Sequence, residues 1–233
     1  MNEFYNRLNE LKIPFMVKRG KYKRLSMTYD RKGNLVIKVP YQANVQTVEK
    51  FVLDNLDWVK KQYEKAKVIK RLYIDNENYL FLGKTYLTKY FESRHEEVIL
   101  NNQELIVYAK DESPASRKKV IDKWLYKQAE LVFNEMLSAA FNRMRDYLPK
   151  YPTLKIKHYS SRWGCCYPKR AEIVINIDTI HLPFDLINYV IYHELCHFVY
   201  LNHGSLFHQF LSKWVPDEKK LHREFKKYHT NYE

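Results

Sequence analysis

Apolar positions along this chain change their spacing several times, and each change marks an element. Residues 15–18, 25–29 and 35–39 are short runs rich in β-branched and aromatic side chains, the pattern of half-buried strands. Asp30-Arg31-Lys32-Gly33-Asn34 predicts a hairpin connection between the last two. From 45 to 66 the spacing becomes three and four, with Val48, Val52, Leu56, Val59 and Tyr63 on one face, which predicts a helix. Strand patterns return at 79–82, 85–91, 98–100 and 105–108. Ser113-Pro114 then opens a long helix, serine as N-cap and proline in the first turn. Its stripe comprises Val120, Trp124, Leu131, Phe141 and Met144, and Pro149 and Pro152 close it.

A third helix is predicted over 184–199. Pro183 suits its first turn, and Asp185 complements the helix dipole. Phe184, Leu186, Ile187, Val190, Ile191, Leu195 and Phe198 cover most of its circumference, so it is expected to be buried. Polar groups on a buried helix need partners. Here they are His193, Glu194 and His197. Residues i and i+4 share a face, so the two histidines can place imidazole nitrogens on one metal ion, with Glu194 beside them as a general base. Asn202 and Gly204 tolerate left-handed backbone and are expected to swing His203 back as a third ligand. Three protein ligands with a fourth position open describe a catalytic zinc centre. By composition such a set of residues arises in roughly one chain in a thousand, so it is read as a site.

The strand pattern over 172–177 fits either an edge that accepts an extended peptide or an interior strand. A last helical stretch carries Phe207, Leu211 and Trp214, then Leu221 and Phe225 after Pro216. The whole reads as an α+β protein. A β-rich amino-terminal portion with one helix spans 1–111, and a metal-binding catalytic domain spans 112–233.

Composition narrows the function. Only 5 Gly and 8 Pro in 233 residues argue against a long linker. No run of 18 apolar residues suggests a membrane span, and Met1 to Arg7 lack the apolar segment of a signal peptide, so the cytoplasm is the expected compartment. Cys165, Cys166 and Cys196 lack Cys-x-x-Cys spacing; the first two read as small buried residues in a tight turn after Trp163-Gly164. The net charge of +13 favours acidic partners. Lys60, Lys61, Lys65, Lys67, Lys70 and Arg71 form one basic run; Lys118, Lys119, Lys219, Lys220, Lys226 and Lys227 add others. These runs fit a solvated surface or a nucleic-acid contact through phosphates. Arg162, Lys169 and Arg170 are the cations placed to hold a triphosphate or other substrate. His181 and His208 are candidate neighbours of the site, whereas His95, His158, His222 and His229 read as surface or packing residues. Tyr189, Tyr192 and Tyr200 are candidate donors to a developing oxyanion.

Arg162-Trp163-Gly164-Cys165-Cys166, the following strand, Leu182-Pro183, Tyr189-Val190-Ile191-Tyr192, His193-Glu194-Leu195-Cys196-His197, Asn202-His203 and Phe207 together resemble the YgjP-like metallopeptidase family, a relative of the SprT- and WLM-type zincins. Weaker matches upstream are Val39-Pro40, Asp57-Trp58-Val59 and Leu82-Gly83-Lys84, so the resemblance runs from about Ile13 to Tyr228. It implies a zincin-like core, zinc on His193, His197 and His203, and Glu194 as catalytic acid and base. The chain departs from the family in having Cys165 and Gly204 where serine is usual. Members of the family have also been linked to pyrophosphatase activity on uridine triphosphate. The functions to weigh are therefore a zinc-dependent metallopeptidase, a metal-dependent UTP pyrophosphatase whose nucleotide would bring Mg²⁺, and a basic nucleic-acid-binding module.

Overall fold

A computed structural model describes residues 3–29, 34–66, 71–159, 162–225 and 228. The connection expected at 30–33 lies outside the described residues, as do Lys67, Lys70, Lys226, Lys227 and His229 and the side chain of Lys65. The chain forms two compact units, 1–70 and 71–232.

The first unit opens with helix α1 (Glu3–Glu10), which buries Phe4 and Leu8. Two turns with two apolar residues make too short a pattern to read from sequence. Strands β1 (Phe15–Gly20), β2 (Ser26–Tyr29) and β3 (Leu35–Pro40) form a sheet in the order β1-β3-β2, with β1 parallel and β2 antiparallel to β3. The single helix expected over 45–66 is two, α2 (Val45–Asp54) and α3 (Leu56–Ala66). The break is at Asn55, whose amide donates to the Phe51 carbonyl at 2.8 Å and competes with the backbone ladder. Leu8, Leu35, Ile37, Val39, Val48, Val52 and Val59 form this unit's core.

The second unit begins with strands β4 (Asn78–Phe81), β5 (Lys84–Glu92), β6 (Glu97–Asn101) and β7 (Glu104–Ala109), ordered β4-β5-β7-β6. Helix α4 (Pro114–Met144) follows, capped by Ser113 Oγ, which accepts from the Ser116 N–H at 3.2 Å. Its buried stripe runs through Ala129, Phe133 and Leu137; Leu131 falls on the opposite side and is 59% exposed. The helix gives way to a 3-10 turn (Arg145–Tyr147) before either proline is reached. Asp111, the expected boundary, lies inside this unit between β7 and α4, because Leu105 and Val107 of β7 share one core with Val120, Ile121 and Leu125 of α4.

A second sheet, ordered β8-β10-β9, comprises β8 (Thr153–Lys157), β9 (Gly164–Tyr167) and β10 (Glu172–Asn176). All five residues of β10 are buried, so it is an interior strand and β9 is an edge. Cys165 and Cys166 therefore lie in a strand, not in a tight turn; pairing with Val174 and Ile173 holds them extended. Helices α5 (Phe184–Cys196), α6 (Ser205–Trp214) and α7 (Glu218–Phe225) complete an α+β architecture. No described helix is long and apolar enough to cross a membrane.

The β4–β5 turn ties the first of these sheets to the segment leading into α5. Leu82 and Gly83 both have positive φ, and their N–H groups donate to the carbonyls of Ile180 and His181 at 3.0 Å. A Cβ on Gly83 would meet Pro183 Cγ at 2.7 Å, so this approach needs glycine. His181 is a buried structural residue, its Nδ1–H donating to the Leu80 carbonyl at 2.6 Å. Burial holds its pKa down to about 3. Because the folded value lies below the unfolded one, the stabilisation is full above pH 6.5 and is lost as pH falls toward 3. Urea unfolding at pH 5 should show about 2 kcal/mol less stability from this group than at pH 7, and His181→Gln should flatten that dependence.

Candidate metal centre

Helix α5 is built around a continuous buried surface, and its last turn carries the polar exceptions. His193 and Glu194 lie in that turn, and His197 follows it directly. The helix was expected to reach 199 but ends at Cys196, where the Cys196 carbonyl accepts from both Val199 and Tyr200 N–H. His197 retains right-handed geometry (φ −69°, ψ −12°), so the one-turn relation to His193 survives. Neither Asn202 nor Gly204 adopts left-handed backbone. Gly204 is extended (φ −78°, ψ −178°) and caps α6, so the entry into α6 brings His203 back. A Cβ at Gly204 would meet nothing within 4 Å. Gly204→Ser should therefore fold normally and gain a few tenths of a kcal/mol from N-capping, read by thermal melting.

Ligating atoms of His193, His197 and His203 all lie within 4.8 Å of one another. The Nε2 atoms of His193 and His203 are 2.9 Å apart. His197 donates its Nδ1–H to the Tyr200 carbonyl at 3.0 Å, which leaves its Nε2 lone pair free to ligate. His193 Nδ1 is buried and has no hydrogen-bond partner among the described residues. Phe207, fully buried, lies against all three rings, with centroid distances of 5.0, 4.8 and 4.9 Å. Burial, aided by the charges of its histidine neighbours, holds the His193 pKa down to about 3, so the imidazole is neutral as a ligand must be. Three converging imidazoles, two of them nitrogen to nitrogen, suit a divalent ion of borderline softness.

Glu194 is buried beside them, 6% exposed. The strand β9 presses onto it: a Cβ on Gly164 would lie 2.6 Å from Glu194 Oε1 and 2.8 Å from Cγ. Burial pushes the Glu194 carboxyl up to about 8 against the opposing charge of Arg162. The Cys166 thiol is pushed up to about 12 by burial and by Glu194, so it stays protonated and is no nucleophile at neutral pH. Cys165 Sγ lies 3.7 Å from Arg162 Nη1.

Asn176, fully buried at the end of β10, holds this strand's entry in place. Its amide donates to the carbonyls of Tyr159 and Arg162, both at 2.9 Å, and its backbone N–H donates to Trp163 at 2.8 Å. Thr179 Oγ1 adds a bond to the same Trp163 carbonyl at 3.2 Å. Sequence reading found neither this anchoring nor the role of Gly164; the Trp-Gly pair was its one visible signal.

The three basic candidates separate. Arg162 lies at the Glu194 end of β9, while Lys169 and Arg170 occupy a 3-10 turn (Pro168–Arg170) past the other end, about 10 Å along the strand. Of the tyrosines, Tyr192 accepts from Arg143 Nη1 at 3.1 Å, Tyr189 OH meets His222 Nδ1 at 3.3 Å, and Tyr200 serves the site through its carbonyl. His208 donates its Nδ1–H to the buried Glu218 at 2.8 Å, and both line a cleft of about 380 Å³ with Lys219, His222 and Arg223. His208 is near enough for its charge to depress the pKa of His193 and His203. His158 contacts Asp178 at 3.5 Å, and His95 is exposed.

No curated protein matches the chain significantly. The family described as "YgjP-like, metallopeptidase domain" matches residues 23–228, a span that takes in the buried glutamate, the three converging histidines and the strand pressed against them. On that match over most of its length, the chain belongs to the YgjP-like metallopeptidase family.

Proposed function

We propose that this protein is a zinc-dependent peptidase with His193, His197 and His203 as ligands and Glu194 as the general base. The observation that carries this reading is the convergence of three imidazoles within 4.8 Å, immediately beside a buried carboxylate. A zinc ion held there would acidify a water and polarise the scissile carbonyl. Glu194 Oε1 takes the proton from the attacking water and later delivers it to the leaving amine nitrogen. The open edge of β9 can pair with an extended peptide, which would carry its backbone past Glu194. Phosphoanhydride hydrolysis finds less support, because only Arg162 of the three basic candidates stands near Glu194.

In this reading His208, its Nδ1–H held by Glu218, would act through Nε2 on charge developing on the substrate oxygen. Its replacement by glutamine should lower kcat about a hundredfold with KM little changed and zinc content intact. An unchanged kcat would remove His208 from the chemistry. The reading as a whole is tested by metal analysis and proteolysis together. Purified protein should carry one zinc per chain and lose peptide cleavage on chelation. His197→Ala should hold less than a tenth of that zinc. Full zinc in His197→Ala, or cleavage that survives chelation, contradicts it.

A further inference from the structure

Charge in this protein is divided unevenly. Residues 1–70 carry 16 Lys and Arg against 7 Asp and Glu, whereas the rest of the chain carries 24 against 20. Within the first unit the acids of the described residues are confined to the helices, which also carry Arg7, Lys50, Lys60 and Lys61. Glu3, Glu10, Glu49, Asp54, Asp57 and Glu64 all belong to α1, α2 and α3. From Leu11 to Tyr29 there are six cations and no acid.

Strand alternation then decides which way the basic residues face. Phe15, Val17, Met27, Tyr29, Leu35, Ile37 and Val39 point toward the helices and pack with Val48, Val52 and Val59. The alternate positions form the opposite face, and register sets Lys18 beside Lys38 and Lys38 beside Ser26 in one row across the three strands. The next row is Met16, Val36 and Thr28, with Val36 buried between two exposed neighbours. Lys21, Lys23 and Arg24, all exposed, follow in the β1–β2 connection. Arg19 is engaged elsewhere, donating to the carbonyls of Tyr41 and Ala43. Among the described residues, no ion pair involves Lys18, Lys21, Lys23, Arg24 or Lys38; the ion pair found in this unit is Arg7–Glu10 on α1. Two lysines on adjacent strands repel one another, and a bound polyanion relieves that repulsion.

We propose that this face of the β1-β3-β2 sheet, on which Lys18 is exposed and Lys38 half-buried, binds the phosphate backbone of a nucleic acid. Ser26 and Thr28 on β2 supply hydroxyl donors beside the two lysines, and cations on one face can neutralise successive phosphates without base contacts. The face carries only Met16 as a large exposed apolar residue, too little to insert into a bilayer. The inference does not depend on the metal centre.

The test is fluorescence anisotropy of the full chain with labelled 20-nucleotide single strands and a 20-base-pair duplex, from about 50 to 300 mM KCl. Binding should weaken steeply with salt, log Kd rising by roughly 3 to 4 per decade if about four phosphates are neutralised. Lys18→Glu with Lys38→Glu should weaken binding at least about tenfold, and the paired Lys→Gln variants, less disruptive to folding, about threefold or more. Lys123→Glu with Lys127→Glu on α4 makes the same charge change in the second unit and should stay within about twofold of wild type. No binding at the lowest salt, or equal losses from the sheet and α4 variants, would overturn the proposal. So would tighter binding to phosphatidylserine vesicles than to nucleic acid, lost in the same sheet variants, which would assign the face to a membrane.

Discussion

Glu194→Gln should retain its full zinc content and lose about a thousandfold in kcat, with KM within a few-fold of wild type. The amide preserves the shape of the carboxylate in a site that is 6% exposed, so folding and the positions of His193 and His197 have no reason to change. What the amide cannot do is accept a proton. General-base transfer at a positioned carboxylate contributes about 10² to 10⁴ in rate, and Glu194 is asked for both halves of the transfer, water to base and base to amine. Metal analysis separates this from damage to the ligand set. Loss of zinc together with loss of activity would indicate that Glu194 supports the ligands instead of moving the proton.

Gly164→Ala should also be damaging, although Gly164 carries no side chain that could ligate the metal or move a proton. Its new Cβ would lie 2.6 Å from Glu194 Oε1, 2.8 Å from Cγ and 2.9 Å from Cδ, so something must move. On the strand side little can yield: Gly164 is paired with Ile175 of the fully buried β10, and the preceding residues are anchored by Asn176 and Thr179. The carboxylate is left to swing away. A displacement of about 1 Å in a catalytic group costs on the order of a hundredfold in rate. We expect kcat to fall by that factor, zinc to remain, and stability to drop by about 1–3 kcal/mol. The comparison with Gly204→Ser, which adds a side chain into open space, shows whether glycine as such or the approach to Glu194 is responsible.

The difference between these glycines explains which parts of the site could be read from sequence. His193, Glu194 and His197 fall within five residues, so their relation depends only on local helical geometry, and that geometry holds although the helix ends three residues early. His203 lies beside them, but no left-handed residue makes the turn that brings it there. Gly164 against Glu194, Asn176 under Arg162 and Phe207 beneath three imidazoles are contacts between elements, and no spacing along the chain encodes them. The same distinction runs through the fold. Long or strongly alternating segments such as α4 and β5 were recognised, while α1 rests on two apolar residues and β8 is masked by Lys155 and Lys157 in its exposed positions. Asn55 divides a continuous apolar stripe by a side-chain hydrogen bond that the stripe itself does not reveal.

The most direct test of the central claim is to incubate zinc-loaded wild type and Glu194→Gln with a mixed pool of peptides and nucleoside triphosphates, and to identify products by mass spectrometry. We expect new peptide termini from wild type, their absence from Glu194→Gln, and intact nucleotides in both. Pyrophosphate and nucleoside monophosphate from wild type without peptide cleavage would contradict the peptidase reading and assign the same histidines and glutamate to a phosphoanhydride.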